Sequence, residues 1–359
     1  MRVTVVALVW AVLLCRVVPA WARPVVAVLA QNDGTEITDF LVPYGVIAAA
    51  HVADVEAVST QDGPIDLVPG PILSGLKIQA DCSLSQFDQR HPGGADFVIV
   101  PALLDPANGR TREWLRAQAA KGAMLVSICD GSIVVAGTGL LDGRRATGHF
   151  ASADKRRQQF PAVQWVANTR FVHDGRFLSS SGVSASLPTA IYLVELIAGA
   201  ERAREVAQAQ GLASYDPTHD SDAFHMGIGD LWLGAKNYLL GWPRDVYALE
   251  LAPGVDEVGL AFAFDMLSRT FRARVPVVAT ASEIRTRNGL RVLRNATPGE
   301  LPARAMPVRI GGSLEEPGWR IGEGAQAPRD VLAYVATRYG DKVSAFVAVQ
   351  LEYPVAAGN

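Results

Sequence analysis

Residues 24–30, Pro-Val-Val-Ala-Val-Leu-Ala, carry no polar side chain, and this run constrains the fold more than any other feature. Successive strand side chains point to opposite sides of a sheet. A strand apolar on both sides must therefore be covered on both sides, as in parallel sheets. Residues 53–59, 95–101 and 122–126 read as further strands. Helical spacing lies between them, at 38–51 with Phe40, Leu41, Val46 and Ile47 apolar, and again at 110–121. Strands alternating with helices predict an α/β, doubly wound parallel sheet sandwiched by crossover helices. Sites in such sheets form outside the carboxyl ends of the strands.

One strand ends in Ser127-Ile128-Cys129-Asp130-Gly131, followed by Ser132-Ile133-Val134-Val135-Ala136-Gly137, the first turns of a helix. A small-x-Cys-x-Gly segment at a strand-to-helix turn has the form of a nucleophile elbow, in which a tight turn pushes one side chain out at the sheet edge. A helix N-terminus just beyond would favour the thiolate. The same pattern also suits a buried core cysteine. A nucleophilic cysteine needs a partner that tunes its ionisation, and Asp39, Asp130 and His149 are the candidates. An Asp opening a helix also reads as a first-turn charge, and a lone histidine as a structural one.

The chain has 359 residues, 49% of them hydrophobic, with a formal net charge of −3. That length suits two domains or one large one, and the near-neutral balance argues against a nucleic-acid partner. Arg2, the apolar stretch 3–14 and Ala20-Trp21-Ala22 form a signal peptide over residues 1–22. The expected location is periplasmic or secreted, with a mature start near Arg23. The apolar stretch is shorter than the ~20 residues a spanning helix needs, and no later segment forms a stable membrane anchor. Leu14 before Cys15 lacks the small side chain of a lipidated signal. Cys82 and Cys129 remain, and a free reactive thiol at Cys129 is expected rather than a disulfide.

Beyond the signal, the organisation reads as a first domain over 23–212, a connecting segment over 213–250 and a C-terminal α/β region over 251–359. His173-Asp174-Gly175-Arg176 signals a hairpin. Residues 276–281 with 286–292 echo 55–59 with 73–78, and residues 328–349 echo 188–209. The C-terminal region therefore reads either as a shortened, degenerate second copy, one without a cysteine, or as an ordinary α/β stretch whose likeness to the first is coincidence.

Five segments in order resemble the ThiJ/PfpI family of the class I glutamine-amidotransferase-like superfamily. They are Glu36-x-x-Asp39-x-x-x-Pro43, residues 96–101, Ile128-Cys129-Asp130-Gly131, residues 136–150 and Ser181-Gly182-Val183-Ser184-Ala185. Look-alikes are the amidase-like domains of AraC-type regulators and the isocyanide hydratases, and the segment after Asp216 is not expected to match the DNA-binding domain of the regulators. The resemblance implies a flavodoxin-like sandwich, often dimeric, with Cys129 as nucleophile, Asp39 hydrogen-bonding it and His149 near the same pocket. Ala102, Leu103, Asp130 and Gly131 are the implied oxyanion or pocket residues. The chain departs from the family at Pro101-Ala102-Leu103-Leu104, where Gly-Gly is usual, and at Asp130, where a small residue is usual. The implied activity is a cysteine-dependent hydrolase or hydratase (amidase-like) acting on a small molecule. The other reading is a non-catalytic ligand-binding or oxidative-stress-sensing protein that keeps the fold. Neither calls for a cofactor or a metal. The implied partners are a small-molecule substrate or ligand and, as in many members, a second copy of the chain.

Overall fold

The structure is a computed structural model that describes residues 23–70, 73, 75–312 and 318–354. The signal-peptide reading of residues 1–22 lies outside these. The first half runs β1 (Val25–Ala30), α1 (Ile37–Ala50), β2 (Asp54–Ser59), β3 (Pro64–Val68), β4 (Leu76–Gln79), β5 (Phe97–Val100), β6 (Met124–Ser127), α2 (Gly131–Ala136), β7 (Phe171–Asp174), β8 (Phe177–Ser180), α3 (Ser186–Ala198) and α4 (Ala200–Ala209). Its seven-stranded sheet has the order β7-β8-β6-β5-β1-β2 with Cys82–Ser83 at the edge, and only the β7–β8 hairpin is antiparallel. The run that opened the sequence becomes β1, near the centre of this sheet, and Val26 to Ala30 are fully buried. Cys82 begins an edge strand opposite Val58. Both described cysteines are free and buried.

The helix α5 (Ile228–Leu240) bridges to the second half. There follow β9 (Asp245–Glu250), α6 (Glu257–Ser268), β10 (Val277–Val278), β11 (Glu283–Arg285), β12 (Arg291–Leu293), β13 (Met306–Ile310), β14 (Trp319–Ile321), α7 (Ala327–Tyr339) and α8 (Asp341–Gln350). β9 falls inside the stretch 213–250 read from the sequence as a connector, yet it is a central strand, parallel to β10 and β13. Its sequence Asp245-Val246-Tyr247-Ala248-Leu249-Glu250 has polar ends that mask the buried middle. Among the described residues no helix is long and apolar enough to cross a membrane.

The two halves repeat one plan. β1 and α1 recur as β9 and α6, with Val25–Ala30 matching Asp245–Glu250. α3 and α4 recur as α7 and α8, with Ser186–Ala198 matching Ala327–Tyr339. The halves meet about an approximate twofold. α1 packs on α6, and the β3–β4 and β11–β12 hairpins join edge to edge through antiparallel β4 and β12, Ile78 opposite Val292. The last helix of each half docks on the other half. Ser184 N–H donates to Leu351 O (2.9 Å), and Ala325 N–H donates to Gln210 O (2.8 Å).

Candidate active site

At the carboxyl end of β6 the chain turns sharply into α2. Cys129 sits in the left-handed region (φ 57°), a conformation that costs a non-glycine residue about 1–3 kcal/mol and persists only where its surroundings enforce it. The enforcement is visible. Gly131 N–H donates to Ile128 O (2.8 Å), and Ser132 Oγ donates to Cys129 O (2.9 Å). A Cβ at Gly131 would stand 1.9 Å from Val100 O, so only glycine lets α2 start this close to β5. Cys129 is an elbow residue rather than an ordinary core cysteine.

Cys129 is 6% exposed, and its ionisation runs opposite to the favoured thiolate expected from a helix terminus. Burial pushes its pKa well up, and Asp39, Asp130 and Glu36 add to the effect. The N–H of Asp130, hydrogen-bonded to the sulfur, works the other way. The helix beyond is only six residues long, and burial is the largest influence on the thiol. At neutral pH the sulfur is held as S–H.

Asp39 stands in the first turn of α1, fully buried. Its Oδ2 accepts the Ala102 N–H (3.1 Å), while Oδ1 has no hydrogen-bond partner. Burial raises its pKa to about 7, opposed by the Ala102 amide and by Arg269. Asp39 N–H in turn donates to Glu36 Oε2 (2.6 Å), which caps the helix. Burial, Asp39 and Asp265 hold the Glu36 carboxyl well above the usual carboxylate range against the pull of Arg269.

Arg269 comes from the other half, directly after α6. Its Nη2 reaches Glu36 Oε1 at 2.8 Å and its Nε reaches Asp265 Oδ1 at 2.6 Å. Asp265 Oδ2 accepts from Thr38 Oγ1 (2.9 Å). His149 is also tied to the second half. Its Nδ1 accepts from Ala151 N–H (3.2 Å) and its Nε2 lies 3.2 Å from the Gln350 carbonyl, an acceptor only, so Nε2 carries the proton. Burial lowers its pKa despite nearby Glu352 and Asp130. The ring is neutral with both nitrogens engaged, so it positions the end of α8 rather than exchanging a proton with Cys129.

Cys129 lies in a cavity of about 350 Å³. Ala102, Leu103, Asp130 and His149 line it, together with Glu36, Arg269 and Gln350. Gly131 supports the turn from behind and is absent from the lining. Asp130 Oδ1 accepts from Ser152 Oγ (2.5 Å) and lies 3.7 Å from Arg156. The sequence reading missed Arg269 and Gln350. A signal for the first was present: Asp265 and Arg269 are spaced i, i+4 around the end of a run that is otherwise apolar from Val258 to Leu267, and charges in a buried helix are kept only when paired. Among the described residues no cluster of three or more His, Cys, Asp or Glu is placed to hold a metal.

A model of the DJ-1/PfpI family matches residues 25–196. An isonitrile hydratase of Pseudomonas putida is 30% identical over 173 residues, which cover 47% of this chain and 70% of that protein. The HTH-type transcriptional regulator CdhR of Pseudomonas aeruginosa is 31% identical over 156 residues, 42% of this chain and 45% of the regulator, so the chain spans less than half of the regulator's length. The crystal structure of Drosophila melanogaster DJ-1beta aligns with a TM-score of 0.47 at 22% identity, over 53% of this chain and 99% of that one.

Proposed function

Because the chain belongs to the DJ-1/PfpI family, we propose that its first half is a cysteine-dependent hydratase whose substrate class is a small isonitrile. The observation that carries this reading is a neutral, buried Cys129 thiol within electrostatic reach of Asp39, which does not hydrogen-bond the sulfur as the resemblance implied but is a carboxyl poised near pH 7 whose Oδ1 has no partner inside the protein. Amide hydrolysis would need an activated thiolate and free amides for an oxyanion. Here the thiol is held protonated and the Ala102 N–H is committed to Asp39. A peroxide sensor would likewise need an exposed cysteine of low pKa, and Cys129 is neither. The isonitrile hydratase relative supports the same choice.

An isonitrile carbon carries a lone pair and accepts both a nucleophile and a proton, so a neutral thiol suits it. The Cys129 sulfur bonds to that carbon, and the carbon gains a proton from the Asp39 carboxyl as the thiol proton replaces it, leaving a thioimidate (R–N=CH–S). Water then adds across the C=N bond. The C–S bond breaks, the sulfur regains a proton, and an N-substituted formamide leaves, so that one isonitrile and one water give one formamide. Val68, Leu103, Leu104, Ile133 and Val183 supply an apolar wall for the substituent, and the cavity volume restricts it to a small group. The features of residues 1–22 support placing this chemistry in an exported protein; protein recovered from a periplasmic fraction is expected to begin at Arg23, and an intact Met1 in that fraction would refute the placement.

The test follows formamide formation from a small alkyl isonitrile by NMR. We expect turnover by the wild type, its loss in Cys129→Ser, and a fall of about 10²–10⁴-fold in Asp39→Asn, the usual scale for removing a proton donor. The rate should decline as pH rises through about 7, where Asp39 loses its proton. Formamide formation that survives Cys129→Ser would overturn the reading.

A further inference from the structure

The helix α5 belongs to neither repeat, since it lies between α4 and β9, and it is turned inside out. Its inward side is Gly234 and Asn237. A Cβ at Gly234 would stand 2.9 Å from the Phe346 ring, and Asn237 Nδ2 donates to Thr270 O (3.1 Å). These two contacts fix the rotation of the helix. They leave Ile228 (88%), Leu231 (60%), Trp232 (64%), Leu239 (69%), Leu240 (74%) and Trp242 (73%) exposed. Apart from Leu104, every large apolar side chain exposed among the described residues lies on this helix or in the turn after it.

We propose that this face joins two copies of the chain, with α5 of one protomer packed antiparallel on α5 of its partner across a twofold axis at Ala235. The sequence is symmetric about that residue. Ile228 and Trp242 lie seven positions either side of it, Leu231 and Leu239 four, and Trp232 and Tyr238 three. A twofold interface requires this kind of match, because residue i on one copy meets residue j on the other and the reverse. Ala235, small and exposed, allows close approach at the crossing point.

The area is sufficient. Large apolar side chains carry about 150–250 Å² each, so the exposed face offers on the order of 900 Å², against about 800 Å² per partner in a standard stable interface. The charge runs the same way. Asp220, Asp222 and Asp230 lie towards the start of the helix and Lys236 and Arg244 towards its end, so antiparallel pairing sets acidic end against basic end. An anionic bilayer would meet both. The faces of α1 and β4 and those of α6 and β12 are already occupied by the other half and so are not open to a second copy.

The experiment is light scattering on the full chain between about 1 and 50 μM. The expected result is twice the mass of one chain, falling to a single chain in a Leu231→Glu, Leu239→Glu double variant with unchanged circular dichroism. Ala235→Cys should give a disulfide-linked dimer on mild oxidation, since at the axis the two sulfurs fall within bonding range, while Gly229→Cys and the wild type should not. The cross-link decides the matter if the double variant fails to fold. A single-chain mass throughout, or failure of Ala235→Cys to cross-link, would overturn the proposal. So would sedimentation with phosphatidylethanolamine–phosphatidylglycerol vesicles that the double variant loses, which would make the face a membrane contact.

Discussion

The two halves of this chain enclose the same frame with different contents. The stretch of chain from β1 (Val25–Ala30) to β9 (Asp245–Glu250) is far longer than that from α3 (Ser186–Ala198) to α7 (Ala327–Tyr339), so the second copy is the shorter. Two strands, β5 and β6, separate β1 from β8 in the first sheet, where β13 alone separates β9 from β14 in the second. The second half has no cysteine, and Gly259 stands at the position that Asp39 holds in the first. It keeps the acidic helix cap, with Asp256 accepting from Gly259 N–H (2.6 Å) as Glu36 does from Asp39 N–H. What it adds is Arg269, directed into the first half. The comparison teaches that the same frame can stand without an elbow cysteine, because packing about the twofold needs the helices and the hairpin and does not need the elbow.

The sharpest way to break this comparison is through its two arginines. Arg269 pairs with the first half's cap, Glu36, with both side chains almost fully buried; Arg287 lies 3.6 Å from the second half's cap, Asp256, and is 47% exposed. Arg269→Met leaves Asp265 and Glu36 without their cation. It should cost about 3–5 kcal/mol in urea denaturation, the usual result of breaking a buried pair. Arg287→Met should cost under about 1 kcal/mol, as for an exposed pair. Equal costs would show that Arg269 is no more than a surface ion pair.

The next effect separates Asp39 from Gly259. The folded-state pKa of Asp39, about 7, lies above its unfolded value of 3.8. Between those values the native state holds a proton that the unfolded state has released. Stability from this group is therefore greatest below about pH 4 and falls as pH rises to about 7, by at most about 1.4 kcal/mol per pH unit. The Asp39→Asn variant should match the wild type near pH 4 and exceed it at pH 8. The second half carries no such penalty at Gly259. A difference independent of pH would show that Asp39 is not a buried carboxyl of raised pKa.

The smallest effect should be the same in both halves. Gly199 between α3 and α4 and Gly340 between α7 and α8 share a backbone open almost only to glycine, φ 86° and ψ 166° against φ 91° and ψ 158°. At neither position would an added Cβ meet a neighbour within 4 Å, so strain alone decides the cost. Gly199→Ala and Gly340→Ala should each lose about 2 kcal/mol of stability. A clear inequality would mean that the halves are held by different means at this joint.

The sequence by itself determined the sheet, the elbow and the position of Asp39 in the first turn of α1. Each rests on short-range pattern: an apolar run needs cover on both faces, and a glycine two residues after Cys129 permits the turn. It also contained the echo between the halves, although β9 hid behind its polar ends. Tertiary structure alone decided what those residues do. Burial above all, with Asp39, Asp130 and Glu36 close by, keeps the Cys129 thiol protonated, where a helix terminus read from the sequence favoured the thiolate. His149 turns both nitrogens to backbone groups, one of them on the second half. Arg269 reaches Glu36 across 233 positions of chain. Desolvation and charge pairing depend on which surfaces exclude water together, and that is settled only when the two halves close on each other.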